Sequence, residues 1–155
     1  MEHRIPLTRR EQPQSLQSHW LVPVTLNNRG PFAFAVEVSR DRTLVTARTL
    51  DTLGVTVDDV PTIPTSGKLA YPLVRLQSVT VGSAVVRDFE VVVWGRPVIP
   101  PELLASTEDK LVWLGMEPSS AINSIVECRG ILGLDFLCQF KVSFDFVAKT
   151  LVLER

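Results

Sequence analysis

Histidine and cysteine are scarce in this 155-residue chain, two of each, and tyrosine occurs once. The cysteines, Cys128 and Cys138, make no disulfide framework and match no zinc-ligand spacing, so reduced thiols in a cytoplasmic protein are the expectation. A Ser-His-acid system needs a histidine in the folded body. Only His3 and His19 are present, and no Gly-x-Ser-x-Gly elbow accompanies them. No glycine-rich loop leads from strand to helix as a phosphate cradle would, and no helix carries His or carboxylates at metal spacing, so neither cofactor nor metal is expected. Excess charge of either sign is missing too: sixteen Lys+Arg stand against seventeen Asp+Glu, a net charge of −1. That balance removes the long-range pull of a nucleic-acid binder or a membrane-surface protein, so neither is expected as a partner. Charge-free apolar stretches such as Leu76 to Val86 are far shorter than the ~20 residues a spanning helix needs.

What is present is a globular composition, 45 % hydrophobic and 21 % charged, on a chain long enough for one self-sufficient core. Residues 1–18 mix Arg and Glu with Gln, show no apolar core of a secretory signal, and hold too few aliphatics for a helical face. They are expected to form a flexible polar arm ahead of a folded domain over 19–155. From Trp20 onward, short runs of β-branched and aromatic residues alternate with turn residues, which predicts an all-β domain. Val22, Val24 and Leu26 share one strand face, with Pro23 marking an edge or the start of a strand. Asn27-Asn28-Arg29-Gly30 closes a hairpin onto Phe32 to Glu37. Thr43 to Thr46 is a short strand, followed by a helical turn or two over Ala47 to Leu53, with Thr46 as N-cap and Gly54 as stop. Val74 to Val81 and Ala84 to Trp94 form a second hairpin about Gly82-Ser83. Residues 96–128, with Pro97, Pro100, Pro101 and Pro118, are irregular apart from a short helix at Glu102 to Ser106. Ile131 to Gly133, a helix over Leu134 to Gln139, and a hairpin of Lys141 to Phe146 with Thr150 to Glu154 complete the chain. Hairpin, loop, apolar strand and short helix thus occur twice, and Val24-Thr25-Leu26 is echoed by Val79-Thr80-Val81.

The block from Phe34 to Thr46 resembles the active-site strand and loop of retropepsin-like aspartic proteases, where an apolar strand runs into Asp-Thr-Gly and then a Thr-aliphatic strand. Leu50 to Val55 is similar to the helix and Leu-Gly-aliphatic ending of that family, and Val74 to Val93 to its second hairpin. Gly130-Ile131-Leu132-Gly133-Leu134-Asp135-Phe136-Leu137 resembles the segment that supports its active site. The resemblance runs from about Trp20 to the C-terminus, with 96–128 as an insertion. It implies a closed β-barrel with one or two short helices, assembled as a homodimer. The apolar Phe144, Phe146, Leu151 and Leu153 of the terminal hairpin are candidates for the dimer contact. The resemblance also implies a flap-like loop over Thr62 to Leu73, with Thr62, Ser66, Gly67, Lys68, Leu69 and Tyr71 as binding residues, and a site-supporting strand at Ile131, Leu132 and Gly133.

Where the family has Asp-Thr-Gly, this chain has Glu37-Val38-Ser39. The family's reaction uses one aspartate from each subunit, held so close that they share a proton. Glutamate moves each carboxyl by about a C–C bond length, in chemistry that tolerates errors of about half an ångström. Val38 lacks the hydroxyl that locks the family's loops across the dimer, and Ser39 places a Cβ where backbone must approach the carboxylates closely. Glu37 is either a strand-end carboxylate, solvated or paired with Arg40 or Arg42, or a dimer-facing group. Asp41 and Arg42 read as local ion pairs, and Asp135 as a cap on the short helix. Trp94 and Trp113, with Leu111, Leu114 and Met116, read as core packing. The expected function is a catalytically inactive dimeric module that binds an extended peptide or protein. The alternative is a divergent aspartic endopeptidase using Glu37 from each subunit.

Overall fold

Asn27 and Asn28 reverse the chain with φ of 48° and 62°, the pair of positive values that a two-residue hairpin requires and asparagine tolerates. The computed structural model describes residues 1–11, 18–56, 61–64, 70–94 and 129–155. Within them the strands are β1 (Glu2–Pro6), β2 (Thr8–Glu11), β3 (Ser18–Leu26), β4 (Arg29–Val36), β5 (Leu44–Thr46), β6 (Thr62–Pro64), β7 (Ala70–Val81), β8 (Ala84–Trp94), β9 (Gly130–Leu132), β10 (Lys141–Asp145) and β11 (Thr150–Glu154). Two short helices, α1 (Ala47–Leu53) and α2 (Leu134–Leu137), follow β5 and β9. The Thr46 hydroxyl accepts the Thr49 N–H at 3.2 Å to open α1, and Gly54 closes it at φ 71°. The insertion 96–128, with its expected helix, Trp113, Leu111, Leu114 and Met116, lies outside the described residues.

Strands β3, β4, β9, β5, β8 and β7 pair in that order, and β7 returns to β3, closing a six-stranded barrel. Two like halves build it. Strand β4 runs parallel to β9, and β8 parallel to β5, while β5 and β9 meet antiparallel with Leu44 opposite Ile131 and Val45 opposite Gly130. The echoed segments Val24–Leu26 and Val79–Val81 pair with each other antiparallel, Thr25 facing Thr80. An approximate two-fold axis therefore passes through the barrel, which is the physical content of the repeat in the sequence. The Asn27 side chain fastens the first hairpin to the second by accepting the N–H groups of Gln77 and Ser78, at 2.8 and 3.3 Å.

The interior holds the expected alternating residues, among them Val22, Val24, Leu26, Phe34, Leu76, Val79 and Val81, all buried. Phe136 of α2 adds a T-shaped contact to Phe89, centroids 5.8 Å apart. Central strands are covered on both faces, so Ala35, Leu44, Val92 and Ile131 form a second apolar cluster with Leu21 and Tyr71. Close approach at the crossing leaves no room for a side chain on Gly130. A Cβ there would meet the Phe34 ring and lie 2.5 Å from the Leu44 carbonyl oxygen.

Three expectations need correction. Residues 1–11 are not a flexible arm: β1 pairs with β11 along its length, and β2 pairs with β3. Ile5 and Leu7 are too few for a helical face, but with His3 they recur every second residue, which is all a strand needs. Ile5 is fully buried over Gly82, where an added Cβ would lie 2.6 Å from its Cγ1, and His3 Nδ1 bonds the Ser83 hydroxyl at 2.6 Å. Second, Leu151 and Leu153 are buried core residues rather than dimer-facing ones, because β11 is the middle strand of the sheet β1-β11-β10. Third, Pro23 sits in the middle of β3. On that flank β2 pairs as far as Leu21 and β7 begins at Val24, so the missing N–H falls in the gap between neighbours.

Because β1 is an integral strand, Ile5→Ala is expected to lower the unfolding free energy by about 3 kcal/mol, the usual cost of a buried aliphatic truncation. Urea denaturation followed by tryptophan fluorescence measures it; an unchanged midpoint would return the segment to the status of an arm.

Candidate functional site

Loop 37–43 joins β4 to β5, but β9 lies between those two strands, so the loop must arch over the C-terminal end of β9. The chain there continues into α2, whose first N–H groups have no partner within the helix. The loop satisfies them. Leu134 N–H donates to the Arg40 carbonyl at 2.8 Å, and Asp135 N–H to the Asp41 carbonyl at 3.0 Å. Gly133 N–H donates to the Thr43 hydroxyl at 3.0 Å. At the loop's start, Glu37 N–H donates to the Leu132 carbonyl at 3.1 Å. Contact is so close that a Cβ on Gly133 would lie 2.6 Å from both Arg42 C and O. Only glycine fits there.

Thr43 is fully buried, and its hydroxyl passes the contact on by donating to Asp135 Oδ1 at 2.6 Å. The Asp135 carboxylate also accepts the Thr43 N–H, at 2.9 and 3.0 Å, and the Phe136 N–H at 2.8 Å. Asp135 therefore does more than the helix-capping role read from the sequence: it welds α2 to the loop. The other half of the barrel repeats the theme with different atoms. The Arg129 carbonyl accepts Thr46 N–H at 3.1 Å and the hydroxyls of Thr46 and Thr49 at 3.2 and 3.0 Å.

Glu37 is half-buried at the start of the loop, and its Oε2 is 2.8 Å from Nε of Arg40, three residues on. Of the two partners read from the sequence, the structure selects Arg40. Arg42 pairs with Glu90 on β8 at 3.3 Å, so its ion pair lies outside the loop rather than being the local one expected. Val38, at the turn, is 58 % exposed, and Ser39 is exposed beside it.

Ile131 and Leu132 have buried side chains, and Leu132 and Gly133 meet the loop through their carbonyl and N–H respectively. Thr62 is exposed on β6, which pairs with the start of β7 so that Ile63 faces Tyr71. Tyr71 is buried, stacks on Trp94 with centroids 5.3 Å apart, and belongs to the same apolar cluster as Leu44 and Ile131. Ser66, Gly67, Lys68 and Leu69 lie outside the described residues. Sequence reading missed Thr43 as the hub of the loop; its position two residues before the apolar Val45, beside an Asp in the helix that follows β9, was the available signal. Among the described residues no three His, Cys, Asp or Glu side chains gather as a cation site would require, and no helix is long and apolar enough to cross a membrane.

No family model matches the sequence, and no curated protein does. Solved structures do match. A retropepsin-like aspartic protease from Rickettsia conorii superimposes with a TM-score of 0.57 over 99 % of this chain and 89 % of that one, at 15 % identity. The retroviral protease-like domain of Ddi1 from Leishmania major gives 0.54 over 88 % and 89 %, also at 15 % identity. The fold is retropepsin-like. Loop 37–43 thus crosses one end of a retropepsin-like barrel, with α2 beneath it.

The hub makes a measurable demand. Thr43→Val keeps the shape but leaves the Gly133 N–H without an acceptor and removes a donor from the Asp135 carboxylate, which is expected to cost about 3 kcal/mol. Thr43→Ser, which keeps the hydroxyl, is expected to lose about 1 kcal/mol or less. Chemical denaturation of both variants compares them, and a loss in Thr43→Val no larger than that in Thr43→Ser would overturn the hydroxyl's role.

Proposed function

We propose that the protein is a catalytically inactive retropepsin-like domain that works as a homodimeric module binding an extended peptide or protein segment. The observation that carries this reading is the Glu37–Arg40 pair: the carboxylate at the family's catalytic position is engaged at 2.8 Å by a guanidinium of its own loop. A dyad that activates water needs one carboxylate free to accept a proton and one able to give it. Here one oxygen of each carboxylate is already bonded to a permanent cation. Val38 adds no hydroxyl to fix the loop against a partner, and Ser39 adds a Cβ. The scaffold that would hold a ligand does not depend on that chemistry. In this reading an extended segment pairs through its backbone with an exposed strand edge, a mode that needs edges and pockets but no acid or base. Self-association uses surface that the fold leaves open, namely Val38 and Phe146, with exposures of 58 % and 56 %, and half-buried Phe144. The module needs no cofactor and acts in the cytoplasm, where the exposed thiol of Cys138 stays reduced.

Peptide-library cleavage assays from acid to neutral pH test the reading, with the natural chain compared against the triple variant Glu37→Asp, Val38→Thr, Ser39→Gly. The natural chain is expected to be inactive. Each tenfold of rate corresponds to only ~1.4 kcal/mol in the transition state, so three displaced contacts suffice to abolish turnover. Cleavage by the natural chain that an aspartic-protease inhibitor blocks, and that Glu37→Ala removes, would establish the alternative, a divergent endopeptidase. Activity confined to the triple variant would show an intact scaffold around an altered site.

A further inference from the structure

We propose that Arg40 is the charge-compensating residue that lets loop 37–43 of one copy meet the same loop of a second copy across a two-fold axis. The inference rests on the homodimer reading above and adds the electrostatics of the contact. In an isologous interface the patch meets itself, and residues nearest the axis face their own symmetry mates. For a lone carboxylate this is unfavourable, since two like charges in a partly desolvated contact repel strongly.

The loop carries the remedy within itself. Glu37 and Arg40 are each about one-third exposed, 34 % and 33 %, with Oε2 and Nε 2.8 Å apart. They present a neutral pair at the surface instead of a bare anion. Arginine has five N–H donors in a planar fork, and the bond to Glu37 accounts for the only side-chain hydrogen bond of Arg40 among the described residues. The remaining donors can therefore reach the Glu37 carboxylate of a second copy, so that two pairs interlock as alternating charges. Val38 lies between the paired residues and is 58 % exposed, a β-branched apolar group free to pack against its mate. The signs of the loop's charges, Glu37, Arg40, Asp41 and Arg42, balance, which suits a surface that must complement itself. Arg42 is already drawn to Glu90 at 3.3 Å, which leaves Arg40 as the cation for this contact. The loop need not be ordered by the partner, because the N–H groups of residues 133–135 already hold it. Association thus loses little conformational entropy there.

A charge cycle on the full chain, read by sedimentation equilibrium, tests the proposal with Arg40→Ala, Glu37→Gln, the double variant and Arg40→Lys. Arg40→Ala leaves two uncompensated carboxylates facing each other, and Glu37→Gln leaves two guanidinium groups; each is expected to weaken dimerisation about tenfold or more. The double variant removes both charges and is expected to return to within about threefold of the natural chain, with Arg40→Lys between the extremes, because a coupled pair is not additive. Thermal melting of each variant at monomeric dilution separates association from folding, and Arg40→Lys retains the charge should Arg40→Ala melt early. A natural chain that is monomeric at tens of micromolar overturns both this inference and the homodimer reading. A natural dimer that Arg40→Ala leaves unchanged, or that the double variant weakens additively, overturns the role of Arg40 and leaves the homodimer standing.

Discussion

The hydroxyl of Thr43 is the point on which the arrangement turns. It donates to Asp135 at 2.6 Å and accepts from Gly133 N–H at 3.0 Å, in a side chain with no exposure to solvent. A buried hydroxyl that lost either partner would carry the desolvation cost without the return, so both contacts must form together. Together they bind a loop between β4 and β5 to a helix more than ninety residues later in the chain. The position of the Glu37 carboxylate depends on this weld, because the weld determines the shape of the loop that carries it.

The two halves of the barrel solve one problem twice. Each sends a short helix off the end of a central strand, and each must find partners for backbone groups exposed where the other half crosses. One half uses the Asp135 carboxylate and the Thr43 hydroxyl; the other uses the Arg129 carbonyl as a common acceptor for Thr46 and Thr49. The hydroxyl side chains are short and can reach backbone without leaving a void. Loop 37–43 is held by α2, whereas α1 is held by the residue preceding β9, so the site is anchored by the later half of the chain.

Local signals in the sequence were sufficient for the hairpins, for both helix positions and for the strand order's two-part rhythm, because Asn-Asn, Gly-Ser, Thr46 and Gly54 each act within a few residues of themselves. They were insufficient where a contact spans the chain. Nothing near Ile5 shows that Gly82 will lie beneath it, and nothing near Leu151 shows that β1 will cover the outer edge of β11. The same distance hid Thr43: its partner Asp135 is 92 residues away, and only the crossing of β9 between β4 and β5 brings them together. At the site itself, the sequence left Arg40 and Arg42 as equal partners for Glu37. Glu90, contributed by β8, breaks the tie by taking Arg42.

The anchoring of the loop and its chemistry are physically separable. The atoms that fasten it are the carbonyls of Arg40 and Asp41, the backbone and hydroxyl of Thr43, and the N–H of Glu37, and none of them belongs to the side chains of residues 37–39. Those three side chains are therefore free to differ from Asp-Thr-Gly without disturbing the loop's course over α2. They decide what the loop presents, an ion pair and an exposed valine, while the backbone contacts decide where it is presented. Because the forces that set the loop's course act on different atoms from those its surface presents, substitutions at residues 37–39 are expected to alter that surface and leave the course of the loop unchanged.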